Sequence, residues 1–227
     1  MYRDGRYATV NPGWHAEDAS AKAEVVVGAA ARLGLAPKRL VDVGCGTGDV
    51  LSEVAQRLAT TQALGIDPSP EAIAIAQQHS RPGLQFESGE LEGVLSEWDL
   101  VLCLDVVEHV ADDRAFLKAL RRIAPHVVFR FPLDESVVDR VTGRVARHRT
   151  QYGHLHAYTR RRILKRLRGC GYRVLLEQYH RIPPTTPGRL DRWRALGLAL
   201  WPHGAVRVLG GYSLVVVAET TGMSSHG

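Results

Sequence analysis

Two short segments of the chain carry side chains that can accept or donate a proton near neutral pH. In the first, Asp105, Glu108 and His109 follow an apolar run that is typical of a buried strand. In the second, His154 and His156 stand in a Gly-His-Leu-His sequence. Histidine suits general base catalysis at neutral pH better than any other side chain, although a single imidazole is often purely structural. Four of these residues are our candidate catalytic groups: His109, His154, Glu108 and Asp105.

A glycine-rich loop lies between a short strand and a helix-like apolar pattern. Gly44, Gly46 and Gly48 stand at every second position, and a loop of this kind lets the backbone approach a nucleotide-like ligand. A dinucleotide would need a third glycine where the chain has Asp49, and a carboxylate at the start of a helix would repel a pyrophosphate. With Asp42 just before the loop, these acids favour a ligand with a cationic end and no phosphate, such as S-adenosylmethionine.

A second acidic position follows the loop at the distance expected for ribose binding. Asp67 ends a short apolar strand about 20 residues beyond the loop, where a carboxylate can accept both ribose hydroxyl groups. Pro68 follows it, Ser69 is placed to cap the next helix, and Pro70 suits the first helical position. A nicotinamide enzyme would keep this acid as well, so Asp67 indicates an adenosine ligand and not a particular reaction.

The motifs together resemble those of a known enzyme family. The sequence D-V-G-C-G-T-G-D, which begins at Asp42, resembles motif I of class I S-adenosylmethionine-dependent methyltransferases. The acid-x-x-Glu-His segment that begins at Asp105 resembles the signature of ubiquinone-type O-methyltransferases, and Gly153 begins a segment that resembles their G-H-x-H-x-[aromatic]-T motif. The resemblance implies methyl transfer from S-adenosylmethionine to a small-molecule acceptor, with a hydroxyl oxygen as the expected methyl acceptor.

The same resemblance implies which residues bind the cofactor. Glu90 follows a predicted third strand in the register at which the family holds the adenine amino group, although aspartate is commoner there. Leu104 ends the predicted fourth strand. The full expected set is Asp42, Gly44, Cys45, Gly46, Gly48, Asp67, Pro68, Glu90 and Leu104.

Two alternatives to this function stay open. Asp105, Glu108, His109 and His154 together resemble the Glu-x-x-Glu-His…His magnesium or manganese site of small-RNA 2′-O-methyltransferases, although Asp105 stands where that site has glutamate. A divalent metal would lower the pKa of the acceptor hydroxyl directly, but we do not favour it. The other alternative is a catalytically inactive S-adenosylmethionine-binding partner protein.

The order of the predicted elements indicates one α/β domain. We expect a Rossmann-like, seven-stranded, mostly parallel sheet with helices on both faces and an antiparallel last strand. The resemblance implies an N-terminal arm and helix over the cofactor pocket (1–38), with a simple cap on the sheet as the alternative, followed by the methyltransferase domain (39–220) and a flexible tail (221–227). Inserts near 133–156 and 183–207 are expected to build the acceptor pocket.

Composition and charge limit the classes of protein to which the chain can belong. The 227 residues are 45% hydrophobic, which is enough for one full α/β core. The apolar runs are too short to span a membrane, and three widely spaced cysteines suggest a reduced, cytoplasmic protein. The net charge is +5, with the densest basic run at 160–168. Because three apolar residues interrupt that run at helical spacing, we interpret it as a solvated helix face, and nucleic acid is not an expected partner.

Overall fold

A seven-stranded sheet forms the centre of the protein. The computed structural model describes residues 18–94, 98–133, 136–141, 153–181 and 189–221. The strands are β1 (Arg39–Val43), β2 (Gln62–Asp67), β3 (Leu84–Ser88), β4 (Leu100–Leu104), β5 (His126–Leu133), β6 (Tyr172–His180) and β7 (Tyr212–Thr220). Their order is β3-β2-β1-β4-β5-β7-β6, and β7 is antiparallel to both neighbours while all other pairs are parallel. The predicted fold is confirmed.

The described residues form eight α-helices, of which the first precedes β1 and the others lie between strands. They are α1 (Ala19–Arg32), α2 (Asp49–Arg57), α3 (Pro70–Ala76), α4 (Asp113–Leu120), α5 (Val137–Val141), α6 (Arg160–Gly169), α7 (Arg189–Leu200) and α8 (Pro202–Leu209). The cap predicted at Ser69 is present, because its hydroxyl accepts from the N–H of Ala72 at 3.3 Å, and the hydroxyl of Thr159 caps α6 by accepting from the N–H of Arg162, also at 3.3 Å. Each cap satisfies an N–H that a helix leaves unpaired at its start.

Apolar side chains cover both faces of the sheet because neighbouring residues of a strand point to opposite sides. One buried cluster joins strand residues to α4 and α6: Val41, Val101, Phe129, Leu117, Leu120, Ile163 and Leu167. The other joins strand residues to α1, α2 and α3: Leu40, Leu102, Val128, Ala23, Val26, Leu51 and Ile73. Helices therefore pack on both faces, as the continuous apolar strands predict.

The structure extends β5 beyond the predicted end. The sequence predicts that β5 stops before Pro132, yet the strand continues to Leu133, with Pro132 opposite Ser213 of β7. Pairing with β4 ends at Arg130. The proline thus lies where β5 has one neighbouring strand, and strands tolerate proline there because a ladder hydrogen bond need not be lost.

The segments predicted as inserts are only partly described. Within 133–156, α5 is described and 142–152 lie outside the described residues, whereas α7 and α8 occupy most of 183–207. The N-terminal arm up to residue 17 and the tail after residue 221 also lie outside the described residues. None of the described helices combines the length and the apolar character that crossing a membrane requires.

The sheet topology gathers the candidate site residues at one edge. Because β1, β2, β3 and β4 are parallel, their carboxyl ends meet at the same edge of the sheet. The glycine loop follows β1, Asp67 ends β2, Glu90 follows β3 and Asp105 follows β4. Ligands of open α/β folds bind at this edge.

Candidate functional site

The glycine loop after β1 has a backbone that requires glycine. Gly44 and Gly48 have φ angles of +80° and +82°. A Cβ atom at Gly44 would lie 2.4 Å from a methyl group of Val106, and one at Gly48 would lie 2.6 Å from the ring of Phe86. At Gly46, where φ is +55°, a Cβ atom would meet nothing within 4 Å. The loop is therefore tightly packed at its two ends and open in the middle, where a ligand can approach the backbone.

Asp67 fastens this loop to the end of β2. One carboxylate oxygen accepts from the N–H of Gly46 at 3.0 Å and the other accepts from the N–H of Ser69 at 2.9 Å. The side chain is buried, and burial raises the pKa of Asp67 against the opposing effect of these two hydrogen bonds. A carboxylate oxygen can accept two hydrogen bonds, so both oxygens keep capacity for the ribose hydroxyls that the sequence predicts there.

Asp42 is a buried carboxyl group with an unsatisfied oxygen. Its exposed fraction is 3%, and its Oδ1 has no hydrogen-bond partner among the described residues. Burial, with a smaller contribution from the charge of Asp67, raises its pKa to about 7, although Lys22 acts in the opposite direction. A buried polar atom without a partner costs free energy. A ligand that carries an ammonium group would remove this cost, so the site fits the amino-acid end of S-adenosylmethionine.

Cys45 and Leu104 shape the site through packing. The N–H groups of Gly44 and Cys45 both donate to the carbonyl of Ile66, at 2.8 and 3.0 Å, which holds the loop against β2. The thiol of Cys45 is buried, and burial raises its pKa well above the ordinary value. This thiol is therefore neutral and packs as a small apolar group. Leu104 is half-buried at the end of β4 and packs against the cluster that contains Cys45.

Pro68 follows the end of β2, and Glu90 follows the end of the neighbouring strand β3. The carbonyl of Asp67 accepts from the N–H of Gly89 at 3.1 Å, so the segment that carries Glu90 begins beside Asp67. The side chain of Glu90 is exposed, and Pro68 is half-buried. Their positions are compatible with an adenine at this end of the site, which remains a prediction.

Asp105 is held by two cations. Its carboxylate forms ion pairs with Arg130 of β5 and with Lys22 of α1, the latter at 3.0 Å. Desolvation alone would raise the pKa of Asp105, but the attraction of the two cations outweighs it and the pKa lies well below its usual range. Asp105 is thus ionised at all ordinary pH values and too weak a base to take a proton. Its φ angle of +58°, unusual for aspartate, turns the chain sharply at the end of β4.

Glu108, His109 and His154 form a compact cluster beyond this turn. One ligand atom of each side chain lies within 4.8 Å of the other two. The two imidazole rings meet edge to face with a centroid distance of 4.9 Å, and the carboxylate of Glu108 is buried. Nδ1 of His109 donates to the carbonyl of Gly153 at 3.4 Å. The structure therefore brings three of the four candidate catalytic residues together and pairs the fourth, Asp105, with cations instead.

Backbone and imidazole hydrogen bonds hold His154 beside His109. The carbonyl of Glu108 accepts from the N–H groups of Leu155 and His156, at 2.8 and 3.1 Å. Nε2 of His156 donates to the carbonyl of Val110 at 2.9 Å. The side chain of His156 thus links the segment that begins at Gly153 to the segment that follows β4, and it lies outside the cluster.

A buried polar group anchors the far end of this segment. The ring of Tyr158 stacks on that of His156 at 5.9 Å, and its hydroxyl donates to Asp113 at 2.7 Å. Asp113 also pairs with Arg166 of α6. Tyr158 is the aromatic residue of the motif that begins at Gly153, but the sequence did not reveal its contact with Asp113, because no local signal links residues 45 positions apart.

Two further residues of the site, Lys22 and Arg130, were not predicted, although each is a charged residue within an apolar stretch of the sequence. Lys22 lies on the buried stripe of α1, one position before Ala23 and one helical turn before Val26. Arg130 lies inside the apolar run of β5 and is 8% exposed. A charged side chain on an otherwise apolar face needs a buried partner, and Asp105 is that partner for both.

Residues 15–177 match the family of methyltransferase domains. This match covers more than half of the chain. The chain belongs to the methyltransferase domain family. The membership confirms the predicted class, a class I S-adenosylmethionine-dependent methyltransferase.

Curated relatives with a named activity match part of the chain. The methyltransferase is 36% identical over 99 residues to a ubiquinone biosynthesis O-methyltransferase of Pseudomonas fluorescens, a match that covers 40% of this chain and 42% of the relative. It is 37% identical over 100 residues to the protein of the same name from Xanthomonas oryzae, with 41% of each chain covered. The chain thus spans about two fifths of the length of the relatives that it matches.

Solved structures share the fold at low sequence identity. The magnesium protoporphyrin IX methyltransferase of Synechocystis, solved with bound S-adenosylhomocysteine, superposes with a TM-score of 0.63 and 19% identity. The superposition covers 90% of this methyltransferase and 86% of that chain. At this identity the likeness extends to the fold alone.

The raised pKa of Asp42 predicts a pH-dependent stability. Because the folded state keeps this carboxyl protonated up to about pH 7 whereas the unfolded chain ionises it near pH 4, the free energy of unfolding should fall as the pH rises through this window. We expect Asp42→Asn to remove that loss and to gain roughly 2–4 kcal/mol relative to the parent between pH 5 and pH 8. Urea denaturation of the parent and the variant at pH 5 and at pH 8 measures the free energy of unfolding of each.

Glu92→Gln is the matched control for this measurement, since it changes an exposed carboxylate to an amide on the same domain. The control should follow the parent protein at both pH values. If the Asp42→Asn variant also follows the parent, burial does not perturb Asp42 and the fit to a cationic ligand end loses its support.

Proposed function

We propose that this methyltransferase transfers the methyl group of S-adenosylmethionine to a hydroxyl oxygen of a small molecule. The observation that carries the proposal is the cluster of Glu108, His109 and His154, whose ligand atoms lie within 4.8 Å of one another. Glu108 and His109 follow β4, which pairs with β1, the strand that leads into the glycine loop. The name of the curated relatives, ubiquinone biosynthesis O-methyltransferase, supports a small molecule and an oxygen acceptor.

The cofactor end of the site would use the residues that fit S-adenosylmethionine. Asp42 would receive the ammonium group, and the two oxygens of Asp67 would accept the ribose hydroxyls. Glu90 would meet the adenine amino group, and Leu104 would contact the cofactor at the end of β4. The open space above Gly46 would admit the cofactor close to the backbone.

The reaction itself is an in-line displacement. The acceptor oxygen attacks the methyl carbon while the carbon–sulfur bond breaks, and the bonding electrons stay on sulfur to give S-adenosylhomocysteine. The hydroxyl proton must leave the acceptor in the same process. Alignment of the reacting atoms can supply roughly 7–11 kcal/mol, and a positioned base adds about 100- to 10,000-fold in rate.

His109 is the base in this proposal. Because Nδ1 of His109 donates to the carbonyl of Gly153, the neutral ring carries its lone pair on Nε2, which can take the acceptor proton. The buried carboxylate of Glu108 stabilises the imidazolium that forms, since opposite charges within about 4–6 Å favour the charged form. His154 borders the same space and would hold the acceptor hydroxyl in line.

A second form of the function uses a metal ion, and the donor set of the cluster fits one. Glu108, His109 and His154 would hold it, and the ion would supply Lewis acidity that lowers the pKa of an acceptor hydroxyl. Two imidazoles and one carboxylate suit zinc, iron or manganese better than magnesium, which prefers oxygen ligands. Asp105 would not join them because Lys22 and Arg130 hold its carboxylate. We favour the form without a metal.

The basic helix α6 gives no support to a nucleic-acid acceptor. Its apolar stripe is buried against the sheet at Ile163, Leu164 and Leu167. Arg160 pairs with Glu177, and Arg166 pairs with Asp113. Part of the positive charge is therefore neutralised within the protein, which agrees with a solvated helix face.

The role of His109 can be tested with and without metal. We expect His109→Gln to lower the rate of methyl transfer about 100- to 10,000-fold while the Kd for S-adenosylhomocysteine stays within about twofold. The assay follows labelled methyl groups onto a panel of phenols and alcohols in the presence of a chelator. His126→Gln, at the amino end of β5, is the control.

Three results would contradict the proposal in different ways. Activity that the chelator abolishes and a divalent ion restores would establish the metal-dependent form. Methyl groups recovered on nitrogen or carbon would exclude the hydroxyl acceptor. Binding of S-adenosylhomocysteine without turnover on any acceptor would favour the inactive partner protein.

His156 should act as a positioning residue. His156→Ala removes the hydrogen bond to Val110, so His154 should lose its place beside His109 and kcat should fall about 10- to 100-fold. His156→Gln should retain most of the activity, because its amide N–H can still donate to that carbonyl. Steady-state kinetics gives kcat for the two variants, and calorimetry gives their affinity for S-adenosylhomocysteine. If His156→Ala loses cofactor affinity as strongly as it loses kcat, the substitution causes a general structural defect instead.

RNA binding gives a direct test of the remaining alternative. We expect no salt-sensitive binding of a fluorescein-labelled single-stranded RNA, measured by anisotropy between 50 and 200 mM salt, roughly the range over which phosphate contacts change affinity most. Each phosphate contact contributes about −0.7 to the log–log slope. A slope steeper than about −2 would show several contacts and would revive the RNA acceptor.

A further inference from the structure

An exposed apolar patch covers three neighbouring helices. Seven of the nine large hydrophobic side chains that are exposed among the described residues belong to α5, α7, α8 and the junction between α7 and α8. We define the apolar patch by these residues: Val137, Val141, Trp193, Leu196, Leu200, Trp201 and Val208. Helix α8 contacts both α5 and α7. Exposed apolar residues scattered singly need no explanation, but a group of them on helices that contact one another indicates an interaction surface.

Helix α7 shows that the exposure is not a packing defect. Trp193, Leu196 and Leu200 follow one another at helical spacing, and about half or more of each side chain is exposed. The flank of α7 next to these residues is well packed, because Gly197 lies so close to α8 that a Cβ atom there would meet the side chain of Ala205 at 2.8 Å.

Polar contacts fix the inner side of α7 to β7. The hydroxyl of Tyr212 donates to the carbonyl of Arg194 at 2.7 Å. The guanidinium of Arg194 donates to the carbonyl of Leu209, and it pairs with Asp191, which also binds Arg181. A helix that is anchored in this way on one side presents its other side to the surroundings as a stable surface.

The patch is bordered by positive charge and lacks exposed carboxylates. Within α5, α7 and α8 as described, the only acidic residues are Asp139 and Asp191, and both are buried. Arg192 and Arg207 are exposed. The surface therefore combines tryptophan, leucine and arginine without acidic groups, a composition that suits contact with the headgroups of an anionic membrane.

A second copy of the chain fits this surface less well. A two-fold symmetric contact through the patch would bring the arginines of one copy towards those of the other. The described part of the patch offers no exposed carboxylate to pair with them, and like charges at an interface oppose association. Anionic lipid headgroups supply the missing negative charge, and the hydrocarbon region receives the apolar side chains.

We propose that the apolar patch docks on an anionic lipid surface. Trp193 and Trp201 lie at the headgroup level, where tryptophan is enriched, and Arg192 and Arg207 meet the lipid phosphates. Helix α5 follows the carboxyl end of β5, and α7 and α8 connect the carboxyl end of β6 to β7. The docking surface therefore lies at the same edge of the sheet as the glycine loop and the histidine cluster.

Vesicle binding by the full chain tests this proposal. We expect co-sedimentation with vesicles of phosphatidylglycerol and phosphatidylcholine, much weaker binding to phosphatidylcholine alone, and a blue shift of the tryptophan emission. The double variant Trp193→Ser, Leu200→Ser should lower the partition coefficient at least about tenfold. Ile75→Ser is the matched control, because Ile75 is an exposed apolar side chain on α3, outside the patch; it should bind like the parent.

Two outcomes would overturn the proposal. If the double variant binds anionic vesicles as well as the parent does, the contact is electrostatic and lies elsewhere, for example on α6. If the parent sediments as a dimer that the double variant dissociates, and vesicles are not bound, the patch is an interface between two copies. Circular dichroism and a thermal melt of each variant establish that both compared proteins are folded.

Discussion

The candidate cofactor site depends on one buried carboxylate, that of Asp67. Its two oxygens accept from the N–H groups of Gly46 and Ser69, so a single side chain fixes the glycine loop after β1 and the turn after β2. These hydrogen bonds offset part of the cost of burying the charge. The same geometry leaves Asp42 buried behind the loop with an unsatisfied oxygen. The site is therefore held in a shape, and with an electrostatic character, that suits a ligand with a cationic end.

A second set of contacts brings the candidate catalytic residues together. The carbonyl of Glu108 receives two N–H groups from the segment that carries His154, and the side chain of His156 adds a third contact to Val110. Two segments more than forty residues apart thus become one rigid unit in which the rings of His109 and His154 touch. The backbone groups that pair in this way need no other hydrogen-bond partner. Because these bonds hold the two segments together, they also fix the positions from which His109 and His154 extend.

Much of the protein could be predicted from the sequence because the signals are local. The positive φ angles of Gly44 and Gly48 demand glycine, and a glycine at every second position reveals the loop. The helix caps at Ser69 and Thr159 depend on residues three positions away. Continuous apolar strands indicate a buried parallel sheet. Pro132 misled the prediction of the end of β5, because tolerance of proline depends on how many neighbours a strand has, which is not a local property.

The sequence by itself thus determined the fold, the glycine loop and the family to which the chain belongs, since each follows from residue type and short-range spacing. Only the tertiary structure decided which charged groups form ion pairs with one another. Asp105 stands in the motif beside Glu108 and His109, but its carboxylate turns to Lys22 and Arg130, which come from other elements. Desolvation makes such pairings strongly dependent on distance and on burial. Those quantities exist only once the strands and helices have been brought together.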